Sequence, residues 1–147
     1  MKIRTAMASD AIAFQAITRD ELGYDFPLEK TRVQLEHLLA SPGHLVLVAV
    51  TDTIPEHVIG IIHGAPYESF YGEPALNILA LAVDKKYQGQ GVGRKLLEEI
   101  ALPAQQLGYT MIRLNSGSQR KGAHAFYEKV GYQRIKEQVV FHHSLIK

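Results

Sequence analysis

The chain lacks cysteine altogether, which excludes disulfides, thiolate metal sites and a cysteine nucleophile. A covalent relay, if the chain used one, would need another nucleophile. No apolar run approaches the roughly 20 residues a membrane helix needs, and Met1-Lys2-Ile3-Arg4-Thr5 has no long apolar stretch of the kind found in signal peptides. The expectation is a cytoplasmic protein with no membrane partner. An excess of one charge is missing too: 16 Lys and Arg stand against 15 Asp and Glu, scattered instead of blocked, so no nucleic-acid partner is expected. No internal repeat, low-complexity tract or linker interrupts the sequence. His142-His143 is the only hint of a metal site, and adjacent strand residues point to opposite faces with no cysteine or carboxylate cluster joining them, so no metal is expected.

What is present suits one ordinary globular domain over residues 1–147, with 46% hydrophobic and 21% charged residues. Its most informative segment is Gln88-Gly89-Gln90-Gly91-Val92-Gly93. An apolar run, Leu76 to Val83, precedes it, and a helix-patterned stretch from Arg94 to Leu107 follows. A strand, a glycine-rich turn and a helix N-terminus together make an anion cradle, because the first N–H groups of a helix lack internal acceptors and carry the positive end of its dipole. The dinucleotide fingerprint fails, since Arg94 stands where its last glycine belongs, and the Walker pattern is absent. Gln88, Gly91 and Gly93 remain, as Q-x-x-G-x-G. On its own such a turn also reads as a plain turn.

A second segment runs from Asn115 to Tyr132, with Ala123-His124-Ala125-Phe126-Tyr127 ahead of Gly131-Tyr132. The two segments, about Leu76 to Arg134, resemble the pyrophosphate-binding motif and the later A-x-x-F-Y motif of the GCN5-related N-acetyltransferases (GNAT). That family moves acetyl from acetyl-CoA to an amine. The resemblance implies acetyl-CoA as co-substrate, a small-molecule primary amine as acceptor, direct transfer in a ternary complex and a homodimer. A protein or peptide acceptor, or a non-catalytic CoA-binding module, are the alternatives.

Periodicity and turn signals give the order β-α-α-β-β-β-α-β-α-β-β. Strands are expected at Lys2 to Ala6, His44 to Val50, Val58 to Ala65, Ala75 to Val83, Met111 to Asn115, Tyr132 to Arg134 and Val139 to Ile146. Ser9-Asp10 offers a cap to a helix ending at Gly23, and a second helix, Leu28 to Ala40, would bury Val33, Leu35, Leu38 and Leu39. The third helix sets Val92, Leu96, Ile100, Ala104 and Leu107 in one stripe, with Pro103 expected to kink it or end it early. Ser118 to Val130 is the last helix, and Pro66 to Pro74 reads as an irregular loop. The fold class is α/β, a mixed, mostly antiparallel sheet flanked by helices. By the resemblance, its central strands splay apart near Val83 and Asn115 to admit the pantetheine arm.

The resemblance then distributes roles. Gln88, Gly89, Gln90, Gly91, Val92, Gly93 and Arg94 would bind pyrophosphate. Leu81, Ala82 and Val83 would offer backbone to pantetheine and polarise the thioester carbonyl. Asn115 would hold the cofactor arm, although it also reads as a polar strand end.

Tyr127 matches the tyrosine that protonates the departing sulfur and so contacts cofactor as well. By spacing alone, Ala123, Phe126, Tyr127 and Val130 read as a core stripe. Asn77 occupies the position where some members carry a glutamate base; an amide cannot take that proton, leaving an ordered water, Glu73, His63 or Tyr71. Deprotonation matters, because an alkyl amine is neutral only about one time in 2,500 at pH 7. Two segments mix carboxylates with aromatics: Asp20 to Phe26, with Tyr24, Asp25 and Phe26, and Tyr67 to Glu73, with Tyr67, Glu68 and Tyr71. They suit the wall of a pocket for a cationic amine, and read equally as solvated loops.

Overall fold

The computed structural model describes residues 1–146. The chain divides into two compact units, the first ending at Asn115 and the second starting at Ser116. In the first, β1 (Lys2–Thr5), α1 (Ala11–Ile17), α2 (Leu28–Leu39), β2 (Leu45–Val50), β3 (Val58–Ser69), β4 (Gly72–Val83), α3 (Val92–Gln106) and β5 (Met111–Leu114) follow one another. The second holds α4 (Lys121–Lys129). No described helix is long and apolar enough to cross a membrane.

The strands lie in the order β1-β2-β3-β4-β5, antiparallel except for the parallel β4–β5 pair. Alternation along the strands sends Val46, Val48, Val50, Ile61 and Ala82 to one face, where Phe14, Ile17 and Leu35 of α1 and α2 cover them. On the other face α3 lays Val92 and Leu96 so close to Gly60 that a Cβ there would meet them at 2.9 and 3.1 Å. Leu96 and Ile100 are wholly buried, each contributing roughly 1.5–3 kcal/mol.

Several expectations change. The strand β3 runs on through Pro66 to Ser69 and pairs with β4 as far as Ser69 opposite Gly72, so Tyr67 to Glu73 is the end of a hairpin and not a loop. Pro66 lies beyond Gly64, where pairing with β2 ends and β3 has an open edge, the kind of position at which a strand accepts proline. Only Leu35 of α2 is fully buried; Val33 and Leu39 face outward. The first helix passes at Thr18 into a π turn and stops at Gly23, whose φ of 80° is left-handed. Pro103 neither ends nor shortens α3, which continues to Gln106, and Leu107 beyond it is exposed.

The last two expected strands do not form. Arg134 pairs back to α4, 3.6 Å from Glu128 and 3.3 Å from His124, and the Tyr132 N–H donates to the Tyr127 carbonyl at 2.9 Å. The stretch from Tyr132 to Arg134 therefore closes the helix. Val139, Val140, Phe141, Leu145 and Ile146 are exposed, without strand pairing. Apolar residues make a strand only where a neighbouring edge accepts their N–H and C=O groups.

Two polar links fix the sheet. The Arg4 guanidinium donates twice to the buried Asp10 carboxylate, at 2.9 Å each, and the Met7 N–H adds a third bond at 2.8 Å. Burial pushes the Asp10 carboxyl up, but these bonds outweigh it and hold it below the ordinary value. Removing Asp10 strands two Arg4 donors and the Met7 N–H and leaves Arg4 only Glu56, at 3.4 Å, as a charged partner, so Asp10→Ala is expected to cost about 2 kcal/mol in denaturant unfolding. The second link is His44 Nδ1 against His63 Nε2 at 3.0 Å, with the rings stacked. Burial, and then the His44 charge, lower the His63 pKa to about 4 from an ordinary 6.5. The unfolded chain therefore takes up the proton first as pH falls, and stability is lost between 6.5 and 4. The expected loss, after solvent screening, is about 2 kcal/mol. Unfolding at pH 7 and pH 4 checks it, and His63→Gln should flatten the difference.

Candidate active site

The parallel ladder between β4 and β5 holds only Ala75 with Met111, Leu76 with Ile112, Asn77 with Arg113 and Ile78 with Leu114. Beyond Ile78, β4 keeps β3 on one side, up to Val83 opposite Gly60. On the other side no strand of the described residues pairs with it. Leu79 to Val83 thus presents one open backbone edge, the fork expected near Val83 and Asn115. Alternate N–H and C=O groups along it are available to an extended ligand that carries amides. At the fork β4 is also irregular: His63 pairs with Ala80 and Gly64 with Ile78, so Leu79 is an extra residue, 58% exposed. Bulges of this kind redirect backbone groups beside reacting centres.

The chain then turns through Asp84, whose carboxylate accepts the Lys86 N–H at 2.9 Å, into the glycine segment. Gly89 and Gly91 have φ of 78° and 84°, a region that penalises any side chain. A Cβ at either would meet no protein atom within 4 Å, so the space before the helix is open. The Lys95 N–H bonds the Gly91 carbonyl at 3.0 Å, leaving the N–H groups of Val92, Gly93 and Arg94 without an intrahelical acceptor. Arg94 is exposed, whereas Lys95 pairs with Glu99 at 3.1 Å. Unpartnered donors, a helix dipole, a free guanidinium and open space fit a diphosphate such as that of acetyl-CoA.

The Gln88 side chain braces the turn. Its side-chain amide donates to the Val83 carbonyl at 2.9 Å and to Glu21 at 3.1 Å, while the other Glu21 oxygen accepts the Lys85 N–H at 3.1 Å. It ties the turn to the end of β4. Gln90 likewise donates to the Lys86 carbonyl at 3.4 Å. Glu21 belongs to the acidic, aromatic segment Asp20 to Phe26, but its bracing of the turn is not legible there, because its partners lie more than sixty positions on in the chain.

On the face shared with α1 and α2, β3 and β4 bring Tyr67 and Asn77 to Arg113. The guanidinium donates to Asn77 Oδ1 at 2.7 Å and to Asn115 Oδ1 at 3.1 Å, and its carbon lies 4.1 Å from the centre of the Tyr67 ring. Asn77 is therefore an acceptor for Arg113. Arg113 itself was not expected; only the register of β5 against β4 reveals it. Glu73 is exposed at the start of β4, roughly 13 Å along the strand from Asn77 at the usual rise. His63 is engaged with His44. Tyr71 is exposed at the hairpin tip. Tyr24 and Phe26 are also exposed, and the Asp25 carboxylate accepts only a neutral donor, Gln15 Nε2 at 3.2 Å.

In the second unit, Tyr127 lies on α4, half-buried against Phe126 and Tyr132. Burial raises its pKa above 10 despite the opposing charge of Arg120, so the phenol keeps its proton at neutral pH.

Two relatives, one solved structure and one family description bear on this arrangement. N-acetylaspartate synthetase from Rattus norvegicus is 24% identical over 100 residues, 68% of this chain but 31% of that protein. The uncharacterized N-acetyltransferase YhbS of Escherichia coli strain K12 is 29% identical over 147 residues, 99% of this chain and 78% of that one. The chain thus spans about a third of the first relative's length and about three quarters of the second's. The solved structure of AAC(6')-Iy, in complex with the bisubstrate analog CoA-S-monomethyl-acetylneamine, is 14% identical with a TM-score of 0.83 over 97% of both chains; that likeness shows the fold. The model of the acetyltransferase (GNAT) domain matches residues 42–134, from the start of β2 through the fork, the glycine turn and α4, and the chain belongs to the GNAT acetyltransferase family.

Proposed function

We propose that this protein transfers the acetyl group of acetyl-CoA directly to the primary amine of a small molecule. The observation that carries the reading is the fork beyond Ile78, which runs into a helix N-terminus with open, glycine-lined approach. The family membership and the relatives named as N-acetyltransferases support it. So does the CoA analogue in the structure of a protein with the same fold.

Acetyl-CoA, when bound, supplies an activated thioester. In this reading the N–H groups of Val92, Gly93 and Arg94 hold its diphosphate, with Gly89, Gln90 and Gly91 leaving room and Gln88 fixing the turn. The open edge at Leu81, Ala82 and Val83 pairs with the pantetheine amides, and a backbone N–H of that stretch polarises the carbonyl. Asn115 steadies the same arm. Tyr127 gives its proton to the sulfur. Its raised pKa fits an acid that must stay protonated until that step.

On the acceptor side, the carboxylates of Asp25 and Glu68, set among Tyr24, Phe26, Tyr67 and Tyr71, draw in an amine that arrives as a cation. Asn77 shapes this side through Arg113 without acting as a base. The amine proton reaches Glu73 or bulk water by way of bound water, since Glu73 lies too far along β4 for direct contact. A homodimer belongs to the same reading, supported by the exposed apolar residues from Val139 to Ile146. The cytoplasm is the compartment we assign to it.

Two experiments test the reading. Gly91→Val forces a side chain into a left-handed φ at the cradle, and calorimetry should show acetyl-CoA affinity falling at least tenfold, on the order of 1.4 kcal/mol, with the helical spectrum retained. Undiminished affinity would remove the turn from the site. Tyr127→Phe should lower kcat roughly 10²-fold with little change in acetyl-CoA affinity. An unchanged kcat at saturating substrates would return Tyr127 to a packing role.

A further inference from the structure

We propose that the acceptor amine also carries a carboxylate, and that Arg113 binds it. This deepens the reading above and rests on it for the position of the amine. Arg113 is half-buried on β5, at the pair next to the last before the fork opens. Its contacts are all neutral: the amide oxygens of Asn77 and Asn115 and the face of Tyr67. Among the described residues no carboxylate lies within ion-pair distance of it. The contrast with the other arginines is informative. Arg4, Arg19, Arg32 and Arg134 each pair with a carboxylate, and Arg94 and Arg120, which do not, are exposed to water. Arg113 is the half-buried arginine whose charge the described chain leaves uncompensated.

The way it is held points to a ligand. A guanidinium has N–H donors to spare beyond the two that the asparagines engage. The Tyr67 ring covers one flat face and fixes the plane, while the amide oxygens orient the fork without neutralising it. An orienting carboxylate in the place of Asn77 would have cancelled the charge. What results is a pre-organised cation, and planar carboxylates match a guanidinium in shape and bonding. Because Arg113 sits beside the end of the ladder, a small molecule with its amine at the fork reaches it with an acid group a few bonds away. The substrate class is therefore an amino acid or another short amine with a carboxylate terminus.

The test compares each amino acid with its carboxamide in a thiol-release assay, for the wild type, Arg113→Gln, Arg113→Lys and Asn77→Asp. The wild type should favour the carboxylate member on the order of 10- to 100-fold in kcat/KM, through KM, as expected for charge-assisted hydrogen bonds. Arg113→Gln should bring each pair within about twofold of one another, and Arg113→Lys should keep part of the preference. Asn77→Asp places the competing charge inside the protein and should erase the preference while Arg113 remains. Calorimetry on the CoA-bound protein with N-acetyl amino acids as probes gives a second readout: the wild type binds them and Arg113→Gln does not. A wild type that takes carboxamides as well as acids overturns the proposal and leaves the acetyltransferase intact. So does an Arg113→Gln variant whose kcat falls equally for both members, because Arg113 then acts on the chemistry. Carboxylate binding that depends on Arg113, with no amine acetylated, would instead overturn the function and keep the anion site.

Discussion

The parallel ladder between β4 and β5 stops after Ile78 and Leu114, and much else depends on that early end. Had it continued, every backbone group from Leu79 to Val83 would have been used within the sheet, and no extended ligand could have paired with that edge. Because it stops, the interior strand of the sheet acquires an edge in its second half. Such an edge is a liability in an isolated sheet. Here it leads directly into a helix N-terminus, so the open strand edge and the unpaired N–H groups of the helix form one continuous run of backbone. The tie from Gln88 to Val83 and Glu21 holds the two halves of that run in register.

Charge is handled differently at the two ends of the fork. At the glycine turn, positive potential comes mostly from unpaired N–H groups and the dipole of α3, with Arg94 in solvent. At Arg113 it comes from a side chain whose neighbours accept its hydrogen bonds without opposing its charge. The remaining half-buried guanidinium, Arg4, shows the alternative: it is matched by Asp10 and lies 3.4 Å from Glu56, and its role is to join β1 to the start of α1. Two half-buried arginines thus differ in charge balance because of what faces them.

Much of the local geometry of the candidate site was legible in the sequence because it is built from backbone. Glycines at positions that demand a left-handed φ, followed by a helix stripe of Val92, Leu96, Ile100 and Ala104, carry their own local signal, and all four of those side chains are buried. The Phe126-Tyr127 pair and the apolar run of β4 are likewise local. The hairpin through Pro66 was missed because proline and a cluster of polar residues imitate a loop, whereas pairing with β4 overrode that preference. The terminal strands were expected from apolar pattern alone, and α4 claimed Tyr132 to Arg134 instead.

The sequence by itself determined the helices, the glycine turn ahead of α3 and the family, since each is written in residues within a few turns of one another. Only the tertiary structure decided where the ladder ends, that Leu79 bulges at that point, that Glu21 braces Gln88, and that Asn77 accepts a hydrogen bond from Arg113. The physical reason is register. Asn77 and Arg113 stand 36 positions apart, and whether their side chains meet depends on how one strand slides against another, a quantity fixed by the packing of the whole sheet and by no stretch of sequence alone.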